Sequence, residues 1–299
     1  MSTTALFLTP ALIWGSTWLA ITSQLGAVAP EVSVTYRFAL ASVILTTACR
    51  LTGRSLKFAL RDHAFLAGLG LLIITLNYIL VYEAERVVAS GLVAVAYSTI
   101  VFMTPVGMRI AFGVPLEPRL FIAAMLGVAG VALLFLPELE RVGQSERVAT
   151  GVVLTLLAAL ACAAGNLIAA RNHRAGIPTI PATAWTMCYG TLFAALTVLA
   201  KGLPWNFDPR WAYVASLAYL AIFGSVVAFA TYFTLLKRVG AGRASYVAIA
   251  TPVIAMLLST AFEGYRWTLV STLGAMMAVA GNWLALRLVH SAAVPRETT

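Results

Sequence analysis

The stretch AMLGVAGVAL at residues 124–133 returns as AMMAVAGNWL at residues 275–284, with six of ten positions identical at a shift of 151 residues. The same shift superposes Gly91 on Gly242. Self-similarity at a fixed spacing indicates a repeated architecture. Chance similarity between helices rich in Ala, Val and Gly is the alternative explanation. Because the shift stays constant across two separate segments, we interpret the match as an internal repeat.

The composition excludes a soluble protein. The chain has 299 residues, of which 61% are hydrophobic and 10% charged, and its mean hydropathy is +0.91. A soluble chain is about one quarter charged and roughly half apolar. The surplus apolar surface must therefore face lipid. A net charge of +9 would suggest nucleic acid for a soluble protein, but a membrane protein gathers Lys and Arg in its cytoplasmic loops. We therefore expect the lipid bilayer, and no nucleic acid, as a partner.

Ten windows of the chain are long and apolar enough to span a bilayer, which takes about 20 residues. They are residues 5–25, 32–51, 65–82, 87–113, 120–136, 151–170, 182–200, 211–236, 244–262 and 269–289. The alternation of apolar and polar residues that marks a membrane β-barrel is absent from the sequence. The first window lacks a basic flank and a cleavage site, so we expect a retained helix and not a signal peptide. The predicted fold is an all-α membrane protein with ten transmembrane helices.

The repeat divides these spans into two halves of five, residues 1–140 and 150–290. Because five is odd, the second half must enter the membrane from the opposite face. The halves are therefore predicted to have inverted topology. Inverted repeats are typical of transporters, which bind substrate near the midplane between the halves and rock about that site. We therefore expect alternating access.

The basic residues predict the orientation. We call the membrane face at which the chain starts side A and the opposite face side B. Thirteen of the twenty Lys and Arg residues lie on side A and six on side B, while Arg37 lies within the second span; only three of the eleven acidic residues lie on side A. Cytoplasmic loops carry the excess of Lys and Arg. Side A is therefore predicted to be cytoplasmic, with both termini.

Several short motifs resemble those of a known family: ALIWGST at 11–17, YRFAL at 36–40, SGLVAVAYST at 90–99, ATPV at 250–253 and FEG at 262–264. In this order and spacing, across residues 5–289, the chain resembles the EamA-type ten-helix exporters of the drug/metabolite transporter superfamily. Aromatic amino-acid exporters are the nearest well-described type. The resemblance implies two inverted repeats around a central cavity, export of small metabolites or amino acids from the cytoplasm, and a bacterial inner membrane. The chain departs from the pattern at Val101, where the family often has proline, and at Glu117, an acidic residue displaced along the chain.

The candidate substrate site consists of aromatic and polar residues inside the spans. Trp14 and Trp18 share a helical face by their spacing, as do Trp185 and Tyr189. The predicted substrate-binding residues are Trp14, Trp18, Asn77, Tyr78, Tyr97, Ser98, Asn166, Trp185 and Tyr189. Ordinary packing, and hydrogen bonds between helices, are the alternative roles for them. Aromatic residues near span ends are instead expected to form an interfacial belt: Tyr82, Tyr246, Trp205, Trp211, Tyr213, Tyr265 and Trp267.

Three further residues are candidates for gating. Arg37 opens the second span, where we favour a side chain that reaches the side B interface; a gate or a counter-charge for a carboxylate is the alternative. Pro105 and Pro252 lie inside the fourth and ninth spans and are predicted hinges, because proline frees a backbone carbonyl.

Four glycines create small helix faces: Gly127, Gly130, Gly274 and Gly281. Small faces allow helices to approach closely. We interpret them as packing within the chain, with dimerisation as the alternative. A monomer is therefore expected, and a dimer stays open.

The absences in the sequence also bear on function. The middle of each span lacks Asp, Glu and His, so proton-coupled export of hydrophobic cations is disfavoured, and facilitated export fits better. Glu83 and Glu263, both near span ends, are the remaining candidates for a proton carrier, and we favour an interfacial position for each. The three cysteines have no paired spacing, and His, Asp and Ser form no constellation at membrane depth. We therefore expect no metal, cofactor or catalytic site.

The sequence thus predicts an inner-membrane transporter that exports small metabolites by alternating access. Amino acids are the favoured substrates, aromatic or apolar ones first, with threonine or other neutral amino acids as options. Phosphorylated solutes would need Arg or Lys in the cavity, and the spans offer few. The alternatives are an exporter of other metabolites or drugs of the same superfamily, or a passive channel.

Overall fold

The computed structural model of the chain describes residues 1–116, 118–139, 145–232, 234–235, 238 and 247–293. These residues form helices and contain no strand. The membrane-spanning helices are α1 Thr3–Thr22, α2 Pro30–Leu51, α3 Leu60–Glu85, α4 Ser90–Phe112, α5 Arg119–Leu139, α6 Ser145–Arg174, α7 Thr179–Ala200, α8 Trp211–Tyr232, α9 Val247–Phe262 and α10 Leu269–Ala293.

Eight of these helices are long and apolar enough to cross a membrane, and α9 and α10 are shorter apolar helices in their described parts. The prediction of an all-α membrane protein with about ten helices is confirmed. The start of the predicted ninth span, residues 244–246, lies outside the described residues, as does Glu117. Large apolar side chains such as Ile110, Phe121 and Leu257 are mostly exposed. Lipid covers such a surface, so exposure costs little there.

Helices α5 and α10 pack through the two stretches that opened the sequence analysis. A Cβ added at Gly130 of α5 would lie 2.7 Å from the carbonyl oxygen of Gly274 on α10. A Cβ added at Gly281 of α10 would lie 2.8 Å from the carbonyl oxygen of Ala123 on α5. A shift of 151 residues converts one contact into the other. The glycine faces of α5 and α10 therefore pack against each other within the chain.

Most of the other contacts between the two halves of the chain follow the same exchange. Helix α1 packs on α9 and α4 packs on α6; α3 packs on α6 and α1 on α8; α3 also packs on α7, and α2 on α8. In each of these three sets, the first helix pair becomes the second when α1–α5 are exchanged with α6–α10. Helices α2 and α7 pack on each other, as do α4 and α9. Helices of the two halves therefore pack between one another in an arrangement that is close to symmetric under this exchange.

Three helices depart from regular α geometry. Helices α3 and α8 each contain a π-helical segment, Gly70–Leu76 and Leu220–Val227. The last residues of these two segments are 151 positions apart. Helix α4 is interrupted by a turn at Ser98–Thr99 and then continues from Ile100 through Pro105 to Phe112. The irregularity of α4 therefore lies about two turns from Pro105, the predicted hinge. π-helical turns often occur at functional sites.

Candidate functional site

A central cavity of about 290 Å³ lies between α1, α3, α4, α6, α8 and α9. Seven residues singled out in the sequence line it: Trp14, Trp18, Asn77, Tyr78, Tyr97, Ser98 and Pro252. They come from α1, α3, α4 and α9, so helices of both halves contribute to one cavity. The volume lies near the lower end of the range of roughly 300–1,000 Å³ that is usual for ligand pockets.

Helix α1 contributes two tryptophans from one face. The indole N–H of Trp14 donates to the carbonyl oxygen of Gly224, 3.2 Å away in the π-helical segment of α8. The Trp14 ring also contacts Tyr232 at 5.2 Å between centroids. Trp18, one turn further along, meets the ring of Tyr97 edge-on at 5.3 Å. A buried indole N–H needs an acceptor, so the bond to Gly224 fixes Trp14 in the cavity wall.

Helix α3 places Asn77 and Tyr78 in the cavity immediately after its π-helical segment. The side-chain amide of Asn77 donates through Nδ2 to the carbonyl oxygen of Ile73 at 3.1 Å. Its Oδ1 atom is buried and has no hydrogen-bond partner among the described residues. A buried acceptor without a partner is costly. Asn77 is therefore the lining residue best placed to accept a hydrogen bond from a solute.

Ser98 lies at the turn that interrupts α4. Its hydroxyl donates to the carbonyl oxygen of Val95 at 2.5 Å and accepts from Nδ2 of Asn282 at 2.6 Å. Asn282 belongs to α10 and is 2% exposed. This pair ties the interrupted helix to α10 at the edge of the cavity.

The two ends of the cavity differ in their exposure. Ile21, Val81 and Ala94 line it towards side B and are buried, whereas towards side A Val247 is buried and Ala248 is exposed. The structure is therefore closed towards side B. The segment before Val247, which includes Tyr246, lies outside the described residues.

Arg37 lies in the interior of the helix bundle, against Tyr78 of the cavity wall, and not at the membrane surface. Its side chain is 1% exposed, and its guanidinium carbon lies 4.5 Å from the ring centroid of Tyr78 and 5.0 Å from that of Phe38. The prediction that Arg37 reaches the interface is therefore wrong, because these two rings enclose the guanidinium. The belt prediction for Tyr82 is also wrong. Tyr82 is fully buried and donates to Oε1 of Gln24 at 2.7 Å.

The remaining belt predictions divide by residue type. The tryptophans Trp205, Trp211 and Trp267 are 45%, 81% and 38% exposed, in agreement with a belt. Tyr213 and Tyr265 are buried, which contradicts it. Tyr213 is buried because its hydroxyl pairs with Ser33 of α2 at 3.0 Å.

Trp185 and Tyr189 are not part of the cavity. They lie near side A, where the hydroxyl of Tyr189 pairs with Nδ1 of His63 at 3.0 Å, and the Trp185 ring meets the His63 ring edge-on at 4.7 Å. The indole of Trp185 donates to the carbonyl oxygen of Leu56 at 2.9 Å. These contacts hold the α2–α3 connection against α7. The prediction that both residues face the central site is therefore not supported by their position.

Asn166 and Pro105 also lie outside the cavity lining. Asn166 donates to Oγ1 of Thr104 at 3.4 Å and thus links α6 to α4 next to Pro105. The sequence reasoning did not place other lining residues in the site, among them Cys162, Phe229 and Tyr232. Phe229 could have been found, because the shift of 151 residues places it on Tyr78.

The lining determines what the cavity can bind. None of its described residues is charged, and its polar groups are hydroxyls, the Asn77 amide and the Cys162 thiol. Among the residues that the structure describes, His, Cys, Asp and Glu form no group that could hold a metal ion. Such a cavity suits a small solute with an apolar or aromatic body and no net charge. It offers no cation for a phosphate.

Comparisons with known proteins agree with this arrangement. The chain is 27% identical over 295 residues to the "Uncharacterized inner membrane transporter YedA" of Escherichia coli (strain K12), covering 95% of this chain and 86% of that protein. It is 25% identical to the "Protein PagO" of Salmonella typhimurium over 96% of this chain and 93% of that protein.

One solved crystal structure shares the fold, with a TM-score of 0.68 at 20% identity, and the match covers 98% of this chain and 99% of that one. The EamA-like transporter family matches residues 1–136 and 149–287, which together make up nearly the whole chain. The chain is thus a multi-pass membrane protein that belongs to the EamA-like transporter family.

Proposed function

We propose that this transporter exports neutral amino acids, aromatic or apolar ones first, from the cytoplasm across a bacterial inner membrane. The observation that carries the proposal is the central cavity: aromatic rings surround it, its lining has no ionised side chain, and Asn77 presents an acceptor without a partner. A zwitterion has no net charge, but each of its two ionised groups needs hydrogen-bond partners in such a lining. Its ammonium group would donate to Oδ1 of Asn77, while its side chain would pack against Trp18, Tyr78 and Tyr97.

The mechanism that we propose is alternating access between two inverted halves, residues 1–140 and 150–290. The reciprocal contacts of Gly130 and Gly281, and the π-helical segments at equivalent places in α3 and α8, support two equivalent halves. A second arrangement with the halves exchanged would open the cavity to side B instead of side A. The site then lies between the halves, as in other inverted-repeat transporters.

The test is counterflow in proteoliposomes. Vesicles that contain the purified protein are loaded with unlabelled phenylalanine, tryptophan or threonine, and uptake of the labelled amino acid is followed. We expect a transient, saturable accumulation with phenylalanine or tryptophan. A passive channel would show saturation-free entry without an overshoot. Absence of counterflow for all three amino acids, in protein shown to be folded, would contradict the proposed substrate class.

Variants separate the cavity from its surroundings. Tyr78→Ala and Asn77→Leu change the cavity wall, so both should abolish counterflow. The matched control is Tyr189→Phe, because Tyr189 bonds only at side A, to His63, and should retain transport. Loss of transport in the control, with retention in Tyr78→Ala, would place the site elsewhere.

A further inference from the structure

A groove of about 520 Å³ lies on the outer surface of the bundle, between α9 and α10. Helix α9 lines it with Val253 and Leu257, and α10 lines it with Met276 and Trp283. All four side chains are exposed. Each described lining residue is apolar or a tryptophan. The groove is therefore open to the acyl region of the bilayer.

The first half fills the equivalent surface in a different way. Under the shift of 151 residues, Val253 corresponds to Phe102 and Trp283 corresponds to Ala132. Phe102 is buried, and a Cβ added at Gly127 of α5 would lie 2.5 Å from its ring. The Phe102 ring thus packs onto α5, whereas the shorter Val253 leaves space beside α10. The fold that the two halves share does not require this groove, so the groove is a specific feature of the second half.

A cation lies at the side A end of the groove. Arg287 follows Trp283 by one helical turn, and its guanidinium carbon lies 4.0 Å from the centroid of the Trp283 ring. Both side chains are exposed. Helix α10 begins at Leu269 on side B and rises about 27 Å from there to Arg287, close to the thickness of about 30 Å of the hydrocarbon core. Arg287 therefore lies at the depth of the side A headgroups.

The size of the groove fits an acyl chain. Trp267, just before α10, lines the side B end, and Trp283 lines the side A end. Helix α10 rises about 21 Å from Leu269 to Trp283. A helix about 10 Å wide and of that length would occupy roughly 1,600 Å³, three times the volume of the groove. A neighbouring helix could therefore insert only side chains, whereas a single acyl chain can follow the groove along α10.

We propose that this groove binds one acyl chain of an anionic phospholipid from the side A leaflet, whose phosphate group binds Arg287. Guanidinium groups donate paired hydrogen bonds to phosphate oxygens. Tryptophan suits the depth of Trp283, because its ring is apolar and its N–H is polar. Basic sites between membrane helices on the cytoplasmic side recognise anionic headgroups. An apolar groove that ends at a cation of headgroup depth combines both features of such a lipid.

The groove and the central cavity share one wall. Pro252 of α9 lines both of them. Its neighbours divide between the two spaces: Thr251 lines the cavity and Val253 lines the groove. A lipid in the groove would therefore pack against the predicted hinge of α9, on the opposite side from a solute in the cavity. The lipid site itself does not depend on which solute the cavity carries.

Native mass spectrometry of the delipidated full chain in detergent tests the site. The added lipids are phosphatidylglycerol and phosphatidylcholine with the same acyl chains, and we expect one phosphatidylglycerol to bind more tightly. Arg287→Gln should weaken its binding about fivefold, the contribution of one basic residue near an anionic surface. Arg174→Gln is the matched control, because Arg174 is also exposed and lies over a ring, that of Phe112, at 4.4 Å, but does not line the groove. Unchanged binding by Arg287→Gln, or an equal loss in the control, would overturn the proposal.

A second variant tests the groove separately from the charge. Ala280 lines the groove and is exposed, so Ala280→Trp should fill the groove from the lipid side and leave the melting temperature unchanged. It should weaken the binding of both lipids. Unchanged lipid binding would overturn the proposal. A dimer that Ala280→Trp abolishes and that added lipid does not dissociate would also overturn it, because a second copy of the chain would then cover the groove.

Photocrosslinking locates the acyl chain in the unaltered protein. A phosphatidylglycerol with a photoactivatable group on its acyl chain is bound at one lipid per protein, and the crosslinked residues are identified by mass spectrometry. We expect crosslinks within residues 249–257 and 276–283. The equivalent face of the first half, residues 98–106 and 125–132, is the internal control and should stay unlabelled. Equal labelling of the two faces would contradict a specific site in the second half.

Discussion

At the scale of single residues, two buried serines differ in whether their hydroxyl has a hydrogen-bond partner, and so in how much the hydroxyl contributes to stability. Ser98 and Ser259 are both buried, at 7% and 0% exposure. Ser98 accepts from the Asn282 amide at 2.6 Å, whereas the hydroxyl of Ser259 has no partner among the described residues. Removing one partner of a buried hydrogen bond leaves the other partner without a bond, which is costly. Removing a buried hydroxyl that has no partner leaves no other group unsatisfied.

We therefore expect Ser98→Ala to lower the free energy of unfolding by about 1–3 kcal/mol, because Nδ2 of Asn282 loses its acceptor. Ser259→Ala is the matched control and should leave stability unchanged or raise it. Apparent melting temperatures of the purified variants in one detergent measure both. A Ser98→Ala variant as stable as the wild type would show that the Asn282 bond contributes nothing.

Residue by residue, the sequence located the polar and aromatic cavity residues better than the charged ones. Trp14, Asn77 and Tyr78 could be found because such residues in the middle of an apolar span are unusual. The burial of Glu85, which is 6% exposed at the end of α3, could not be predicted, because the predicted third span ended at residue 82 and left Glu85 in a loop. Hydropathy marks where a helix becomes polar, and it does not reveal that the neighbouring helices bury the polar end.

At the scale of helices, close packing between α5 and α10 is the feature most sensitive to side-chain size. In a membrane, helices associate by van der Waals packing of small residues, since lipid is as apolar as the side chains. The neighbours of Gly130 are backbone atoms of Gly274 and Ala278. Backbone atoms cannot turn aside as a flexible side chain can.

Gly130→Leu should therefore force α5 and α10 apart and destabilise the fold by at least about 1–3 kcal/mol, the usual cost of overpacking. Val128→Leu is the control: Val128 is 54% exposed on the lipid face of α5 and should tolerate the change. The fraction of monodisperse protein after heating, measured by size-exclusion chromatography, compares them. Equal heat resistance of the two variants would contradict the role of the glycine face.

Helix boundaries were largely predictable, and helix irregularities were not. Long apolar runs mark the spans, so the predicted windows agree with the helices to within a few residues at most ends. The sequence pointed to Pro105 as the irregular place in α4, but the interruption lies at Ser98–Thr99. There, the backbone N–H groups of Thr99, Val101 and Phe102 donate to carbonyl oxygens three residues back in place of the regular four. The Ser98 hydroxyl at this turn accepts a hydrogen bond from Asn282, 184 residues away, a contact that local sequence does not reveal.

At the scale of the whole molecule, two equivalent halves explain the position of the cavity. Helices of both halves alternate around it, and most helix contacts between α1–α5 and α6–α10 have a counterpart under their exchange, although the contacts of α5 with α6 and of α4 with α10 do not. The side B end is closed by Ile21, Val81 and Ala94, and Arg37 packs against Tyr78 of the lining. We propose that exchanging the conformations of the two halves would open this end and close side A in an equivalent way.

The internal repeat was visible in the sequence, and it predicted a site between the halves. The state of that site was not predictable, because the same contacts, formed by one half or the other, close side A or side B. The basic residues predict that side A faces the cytoplasm. A measurement of access to the cavity from each side tests this orientation together with the closure at side B.

Accessibility of single cysteines at the two ends of the cavity is that measurement. Cys49, Cys162 and Cys188 are first replaced by alanine, and Val81→Cys or Ala248→Cys is added in turn. A membrane-impermeant maleimide is applied to spheroplasts, which expose side B, or to inverted vesicles, which expose side A. We expect Ala248→Cys to react only from side A, and Val81→Cys to react from side B only while phenylalanine is being exchanged. Reaction of Ala248→Cys from side B, or equal reaction of Val81→Cys from side B with and without phenylalanine, would contradict alternating access by this cavity.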